Sequence, residues 1–245
     1  MTDGRTIAIA SGKGGVGKTW FAITLAHALT RRGSRTLLFD ADLGLANVDI
    51  QLGLTPCQDL GGVIAGRATL ADAVTHHPNG GFDIVAGRSG SGALAAIDPA
   101  ALERVLAALR TEAAHYAITL LDLSAGLDRS VRRMSAWVDT LLVVATDEPT
   151  SLTDAYAVLK LHTADRPHGD VRVVVNQAAS RQAGERTFAT LERACRTFLR
   201  HTPALAGIVR RDDRVRDAIR RQALLLSRHP ASPAATDVEA IARLL

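Results

Sequence analysis

The residues with the clearest chemical potential are SGKGGVGKT, from Ser11 to Thr19. An apolar run from Arg5 to Ala10 breaks into this glycine-rich turn, and a helical pattern follows at once. The turn satisfies G-x-x-x-x-G-K-[ST] through Gly12, Gly17, Lys18 and Thr19, in the strand–loop–helix context that pattern requires. Gly14, Gly15 and Gly17 place no Cβ in the way, so backbone N–H groups through Val16 and on to Trp20 can turn inward around a phosphate. A helix starting near Lys18 adds its positive dipole end and its unpaired N–H groups. Lys18 has the length to reach β- and γ-phosphates, and the Thr19 hydroxyl is placed to ligate Mg²⁺. These residues predict a nucleoside triphosphate site.

Lys13 adds to this. The chain has three lysines against 26 arginines, and two of the three, Lys13 and Lys18, lie in this one turn. Where positive charge is otherwise written as arginine, that placement points to a need for compact ammonium groups. Polar residues that close apolar runs form a second set: Asp40 and Asp42 after RTLLF, Asp122 after YAITLL, and Asn176 after VRVVV. Carboxylates at such positions can hold Mg²⁺-bound water or orient a water for attack on a γ-phosphate.

Those runs, with DTLLVVAT ending at Thr146 and a shorter one from Phe82 to Ala86, predict strands without polar alternation. Between them lie helical patterns: Ala22, Leu25, Ala26 and Leu29, stopped at Gly33; a segment opened by Asp98-Pro99 with Leu102, Val105, Leu106 and Leu109 on one face; Leu152 to Leu161; and Arg186 to Arg200. Continuous apolar strands alternating with helices specify an α/β fold, a mostly parallel twisted sheet covered on both faces. Ligands bind such sheets at the carboxyl ends of the strands, where Asp40, Asp122 and Asn176 stand. Gly90 to Gly92 reads as part of a flexible loop, and Pro230 and Pro233 as separating a last helix, Asp237 to Leu245. With no repeat and no linker, residues 1–245 are expected to form a single domain.

Apolar residues make up 47% of the chain, enough for a real core. Cys57 and Cys195 are far apart, which argues against disulfides and clusters; Cys195 shares a helical stripe with Phe188, Leu191 and Phe198 and is expected in the core. The N-terminus carries no leader pattern, and no apolar run is long enough to span a membrane, so a cytoplasmic location is expected. Arg210, Arg211, Arg214, Arg216, Arg220 and Arg221, interleaved with Asp212, Asp213 and Asp217, read as a solvated helix face.

GKGGVGKT resembles the deviant Walker A loop of the MinD/ParA ATPases. The resemblance implies a P-loop NTPase fold with ATP and Mg²⁺ as cofactors, and an ATP-dependent homodimer in which Lys13 crosses to the partner's phosphates. It makes Asp42 the water-positioning residue, Asp40 a support of the metal shell, Asp122 the Walker B carboxylate, and LSAGL a switch loop hinged at Gly126. Asn176 matches the position that reads the adenine edge, and Asp212 a second base contact. Trp20 departs from the family, which usually carries a small hydroxyl residue there to touch the α-phosphate, and Arg210 stands where proline is usual.

Within the family, DADLGLANVDIQLGL (Asp40 to Leu54), DEPTSLTDAYAVLK (Asp147 to Lys160) and DDRVRDAIRRQALLLSRHPASPAA (Asp212 to Ala235) resemble the FlhG branch (also called FleN or YlxH). That branch governs flagellar number and placement with the FlhF-type GTPase and flagellar basal-body components. The branch's N-terminal extension does not precede the first strand here, so GTPase stimulation is not expected. MinD-type proteins end in a basic amphipathic helix that docks transiently on the inner membrane or pole. DVEAIARLL, with a single arginine, is a weak version expected to pack instead. The alternative is a ParA/MinD-like positioner of DNA, cargo or division site, with the late arginines on DNA phosphates.

Overall fold

The computed structural model describes residues 4–42, 44–87 and 97–245. The expected glycine–serine loop and the first three residues lie outside these. In chain order the elements are β1 (Arg5–Ser11), α1 (Lys18–Arg31), β2 (Thr36–Ala41), α2 (Val48–Leu52), α3 (Leu60–Ile64), a 3-10 turn (Ala71–Ala73), β3 (Val74–His77), β4 (Phe82–Val85), α4 (Pro99–Ala113) and β5 (Ile118–Ala125). There follow α5 (Arg129–Trp137), β6 (Thr140–Ala145), α6 (Pro149–Asp165), β7 (Asp170–Ala178), α7 (Arg181–Phe198), β8 (Ala204–Arg210), α8 (Asp213–Arg220), α9 (Leu225–Arg228) and α10 (Pro233–Ala242).

Among the described residues the strands form one eight-stranded sheet in the order β3-β4-β2-β5-β1-β6-β7-β8, with β3 antiparallel to β4 and every other pair parallel. The strand period explains the two-sided burial. Ile7 and Ile9 of β1 point to one face, into a core with Phe21, Leu25, Val238 and Ile241; Ala8 and Ala10 point to the other, toward Leu106, Leu109, Val131 and Leu159. Each fully buried leucine or phenylalanine contributes roughly 1.5–3 kcal/mol. The sheet is therefore a rigid base for the loops at its carboxyl end.

The helix caps show where the fold is saturated and where it is not. Asp98, Ser180, Asp212 and Ser232 each accept a backbone N–H at the start of α4, α7, α8 and α10. α1 begins instead at Gly17, in the left-handed region at φ 86°, with no side-chain cap. α2, α5, α6 and α9 also start without a side-chain cap, but α1 starts directly from the glycine-rich turn.

Several boundaries differ from the sequence expectation. β5 and β7 run past Asp122 and Asn176, to Ala125 and Ala178. α6 and α7 start earlier than Leu152 and Arg186, because Pro149 and the Ser180 cap set their first turns. Pro233 does not separate the last helix from the body; it is the first residue of α10, which packs Val238 and Ile241 into the core beside α1 and β8. Cys195 is buried as expected, but Phe198, at the end of α7, is 74% exposed and leaves that stripe. No helix among the described residues is long and apolar enough to cross a membrane.

Candidate functional site

The turn between β1 and α1 opens onto a cavity of about 750 Å³ at the carboxyl end of the sheet. Gly14, Gly15, Val16, Gly17, Lys18, Thr19 and Trp20 line one wall, and Asp42, Asn47, Gln51, Ser124 and Asp128 line others. A second cavity of about 320 Å³ adjoins it, bordered by Asn176, Gln177, Arg210, Arg211 and Asp212. Gly15 and Gly17 both have positive φ, and a Cβ on Gly14 or Gly15 would meet nothing, so the wall they form is bare backbone. Gly12 has a different reason to be glycine. A Cβ there would lie 2.4 Å from the Asp154 carbonyl oxygen, so this position lets the turn close onto α6.

The two loop lysines point to different places. Lys18, buried, donates to Asp122 Oδ1 at 2.8 Å. Lys13 is not on the cavity wall; it donates to Glu148 Oε2 at 2.6 Å and Thr150 Oγ1 at 3.0 Å, on the exposed rim where α6 begins. That ion pair holds the Glu148 carboxyl below its ordinary range.

Asp122 and Asp40 lie side by side on paired strands, both buried. Burial raises the Asp122 carboxyl against the opposing pull of Lys18, and burial together with Asp122 pushes Asp40 up to about 7. Asp122 Oδ2 is enclosed without a hydrogen-bond partner. Both carboxyls are thus held toward their neutral forms beside a single ammonium, and a divalent cation bound there would favour their ionised forms. No group of three or more His, Cys, Asp or Glu side chains stands ready for a metal among the described residues. A Mg²⁺ at Thr19 and Asp122 would complete its shell with phosphate oxygens and water, as this ion usually does.

Asp40, expected to support the metal shell, bonds to its own loop. Oδ1 accepts from Asp42 N, and Oδ2 from Asn47 N and Val48 N at 3.2 and 3.1 Å, so it anchors α2 beneath the cavity. Asp42 does line the cavity; its Oδ1 accepts from Leu45 N at 2.9 Å and Ser124 Oγ at 3.0 Å. Asn176 donates from Nδ2 to Val16 O at 2.7 Å and accepts from Gln177 N at 2.9 Å, so it ties the turn to β7 while bordering the second cavity. Asp212 caps α8 and accepts from Ala234 N, with its carboxyl held low by those bonds against burial. Arg210 is locked onto buried Asp237 through Nε at 2.8 Å and Nη2 at 3.0 Å.

Sequence reasoning missed Glu148, Thr150, Ser124, Gln51 and Gln177. The first two lie inside DEPTSLTDAYAVLK and Ser124 inside LSAGL, but no spacing marks them. Gln177 is singled out only by its left-handed φ of 57°, which sequence does not display.

Residues 7–225 match the model of the CobQ/CobB/MinD/ParA nucleotide binding domain. The chain belongs to this family. Antiactivator FleN of Pseudomonas aeruginosa is 38% identical over 239 residues, covering 98% of this chain and 85% of FleN. Flagellum site-determining protein YlxH of Helicobacter pylori is 30% identical, covering 76% of this chain and 62% of YlxH. Among solved structures, the septum site-determining protein MinD of Pyrococcus horikoshii, complexed with Mg-ADP, superposes with a TM-score of 0.81 at 24% identity, covering 98% of this chain and 95% of that one. At that identity the likeness shows the shared fold. The expected α/β P-loop fold of MinD/ParA type and the resemblance to FleN are both borne out.

Proposed function

We propose that the chain is an ATP-dependent dimerising switch with slow hydrolysis, acting in the control of flagellar number or placement. The observation that carries this reading is the division of labour between the two ammonium groups. Lys18 is turned inward onto Asp122, and Lys13 is turned outward onto Glu148 on the exposed rim. In this reading the uncapped start of α1 and the backbone of Gly14 to Lys18 hold the phosphates, and Lys18 moves from Asp122 to the β- and γ-oxygens. Thr19 and Asp122 hold Mg²⁺, which neutralises charge on the phosphates when bound. Asp42, steadied by Ser124, orients the attacking water. Lys13, released from Glu148, neutralises charge on the partner's γ-phosphate, a device worth roughly 10³–10⁵ in rate. Asn176 and Asp212 offer the polar edge of the base cavity.

The flagellar assignment rests on the extent of the likeness to FleN, with a FlhF-type GTPase and basal-body components as the partner class. Mass measurement in solution tests the switch. The Asp42→Ala protein with ATP and Mg²⁺ is expected to run as a dimer, and Lys13→Ala/Asp42→Ala as a monomer that still binds ATP. Lys13→Ala alone is expected to lose hydrolysis by roughly 10³-fold. An Asp42→Ala protein whose mass is the same with and without nucleotide rules the switch out. Flagellar counts in a deletion strain test the biological assignment.

A further inference from the structure

The phosphate cavity and the base cavity share a seam: Gly15, Gly17, Trp20 and Ile219 border both. A nucleotide with its phosphates on the turn and its base against Asn176 must carry its sugar across that seam, because the sugar is the covalent link between the two. Trp20 stands there with only 6% of its surface exposed. Its Nε1–H is enclosed and has no acceptor. Gln51, on α2 along the wall of the first cavity, has its Oε1 enclosed with no donor.

Buried polar atoms are almost always paired, so an orphan donor and an orphan acceptor beside one cavity call for a missing partner. A hydroxyl accepts one hydrogen bond and donates another, and it is the group that answers both needs at once. We propose that Trp20 and Gln51 grip a sugar hydroxyl of the bound nucleotide, Trp20 donating to it and Gln51 accepting from it. Both side chains border the first cavity, and contact with the hydroxyl requires each polar atom to turn from its enclosed position toward it. The large indole thereby replaces a small side chain's contact near the phosphates with a contact to the sugar. This inference rests on the nucleotide reading above and adds the part of the nucleotide that Trp20 recognises.

The chain has two tryptophans, so Trp137→Phe leaves Trp20 as the sole indole reporter. In that background ATP, 2′-deoxy-ATP and 3′-deoxy-ATP, each with Mg²⁺, are titrated against Trp20 emission and by calorimetry. The expected result is an emission change with ATP, and about three- to tenfold weaker binding of one of the two deoxy nucleotides, the size of one neutral hydrogen bond. That nucleotide identifies the hydroxyl. Trp20→Phe and Gln51→Leu, read by calorimetry, should each weaken ATP by about the same factor. Neither should weaken the discriminated deoxy nucleotide further. Equal binding of all three nucleotides overturns the proposal, and so does a Trp20→Phe loss that is the same for all three, which would reduce the indole to packing. A protein that binds no ATP at all defeats the nucleotide reading first and takes this inference with it, a result distinct from ATP binding without discrimination.

Discussion

Asn176 shows how one side chain can serve both the fold and a ligand. Its amide holds Val16 O with one N–H and the Gln177 N–H with its oxygen, and a Cβ on Gly17 would come within 2.6 Å of its Nδ2. Asn176→Ala therefore leaves a buried carbonyl and an N–H without partners, a loss of about 1–3 kcal/mol. The expected outcome is a lower unfolding midpoint in the absence of any nucleotide, visible by thermal melting. If its remaining N–H also reads the base, the variant should lose preference for ATP over GTP in the same titration. A melting midpoint unchanged from the native chain would remove the loop-holding role. The turn itself was legible in the sequence because its work is done by backbone, which glycine advertises. Glu148 and Thr150 were not, because an ordinary glutamate and threonine become partners of Lys13 only when α6 is docked against the turn.

At the scale of elements, the interior strands were legible and the edges were not. β1, β2, β5, β6 and β7 are covered on both faces and so read as unbroken apolar runs. β3, VTHH, sits at the margin with only His77 buried, and β8, ALAGIVR, breaks its apolar run with Ala204, Ala206 and Gly207. Gly207 is small for a reason found only in the docked structure. A Cβ there would meet Ile241 Cγ1 at 2.4 Å, so the glycine is what lets α10 lie flat on β8. Gly207→Ala is expected to destabilise the fold by about 1–3 kcal/mol through overpacking. Ile241→Ala made in the same protein should recover part of that loss even though it is itself destabilising, a coupling that urea unfolding of the two single variants and the double variant would expose. Strict additivity would mean the two residues do not press on one another. The same docking explains why the start of the last helix was hidden: Pro233 reads as a break in sequence, yet with Ser232 capping it is the ordinary way to begin a helix.

Across the whole molecule, buried titratable groups of opposite behaviour tie stability to pH. Asp40, pushed up to about 7 by burial and by Asp122, binds a proton in the folded chain that the unfolded chain releases near 3.8. Between those values the folded state holds more protons, so its contribution to stability falls as pH rises. His27 and His162 do the reverse. Each is lowered to about 4 by burial, reinforced by Arg31 and Arg166 respectively, so their contribution is complete above 6.5 and is lost as pH falls toward 4. The opposing slopes partly offset one another in the native protein, and single variants separate them. Relative to the native chain, Asp40→Asn should gain stability as pH rises toward 7, by at most about 1 kcal/mol per pH unit for one proton, and nothing more above 7. His162→Gln should change by about the same amount per unit with the opposite dependence, gaining on the native chain as pH falls below 6.5. Asp40→Asn also disturbs the bonds to Asp42 N, Asn47 N and Val48 N, but that adds a constant offset and leaves the slope intact. Urea titrations at several pH values without nucleotide or Mg²⁺ measure both slopes. Repeated with ATP and Mg²⁺, the Asp40 slope should shrink, because a cation beside Asp122 favours ionised carboxylates. A slope the same in both conditions would separate the Asp40–Asp122 pair from the nucleotide site and leave it a matter of folding alone.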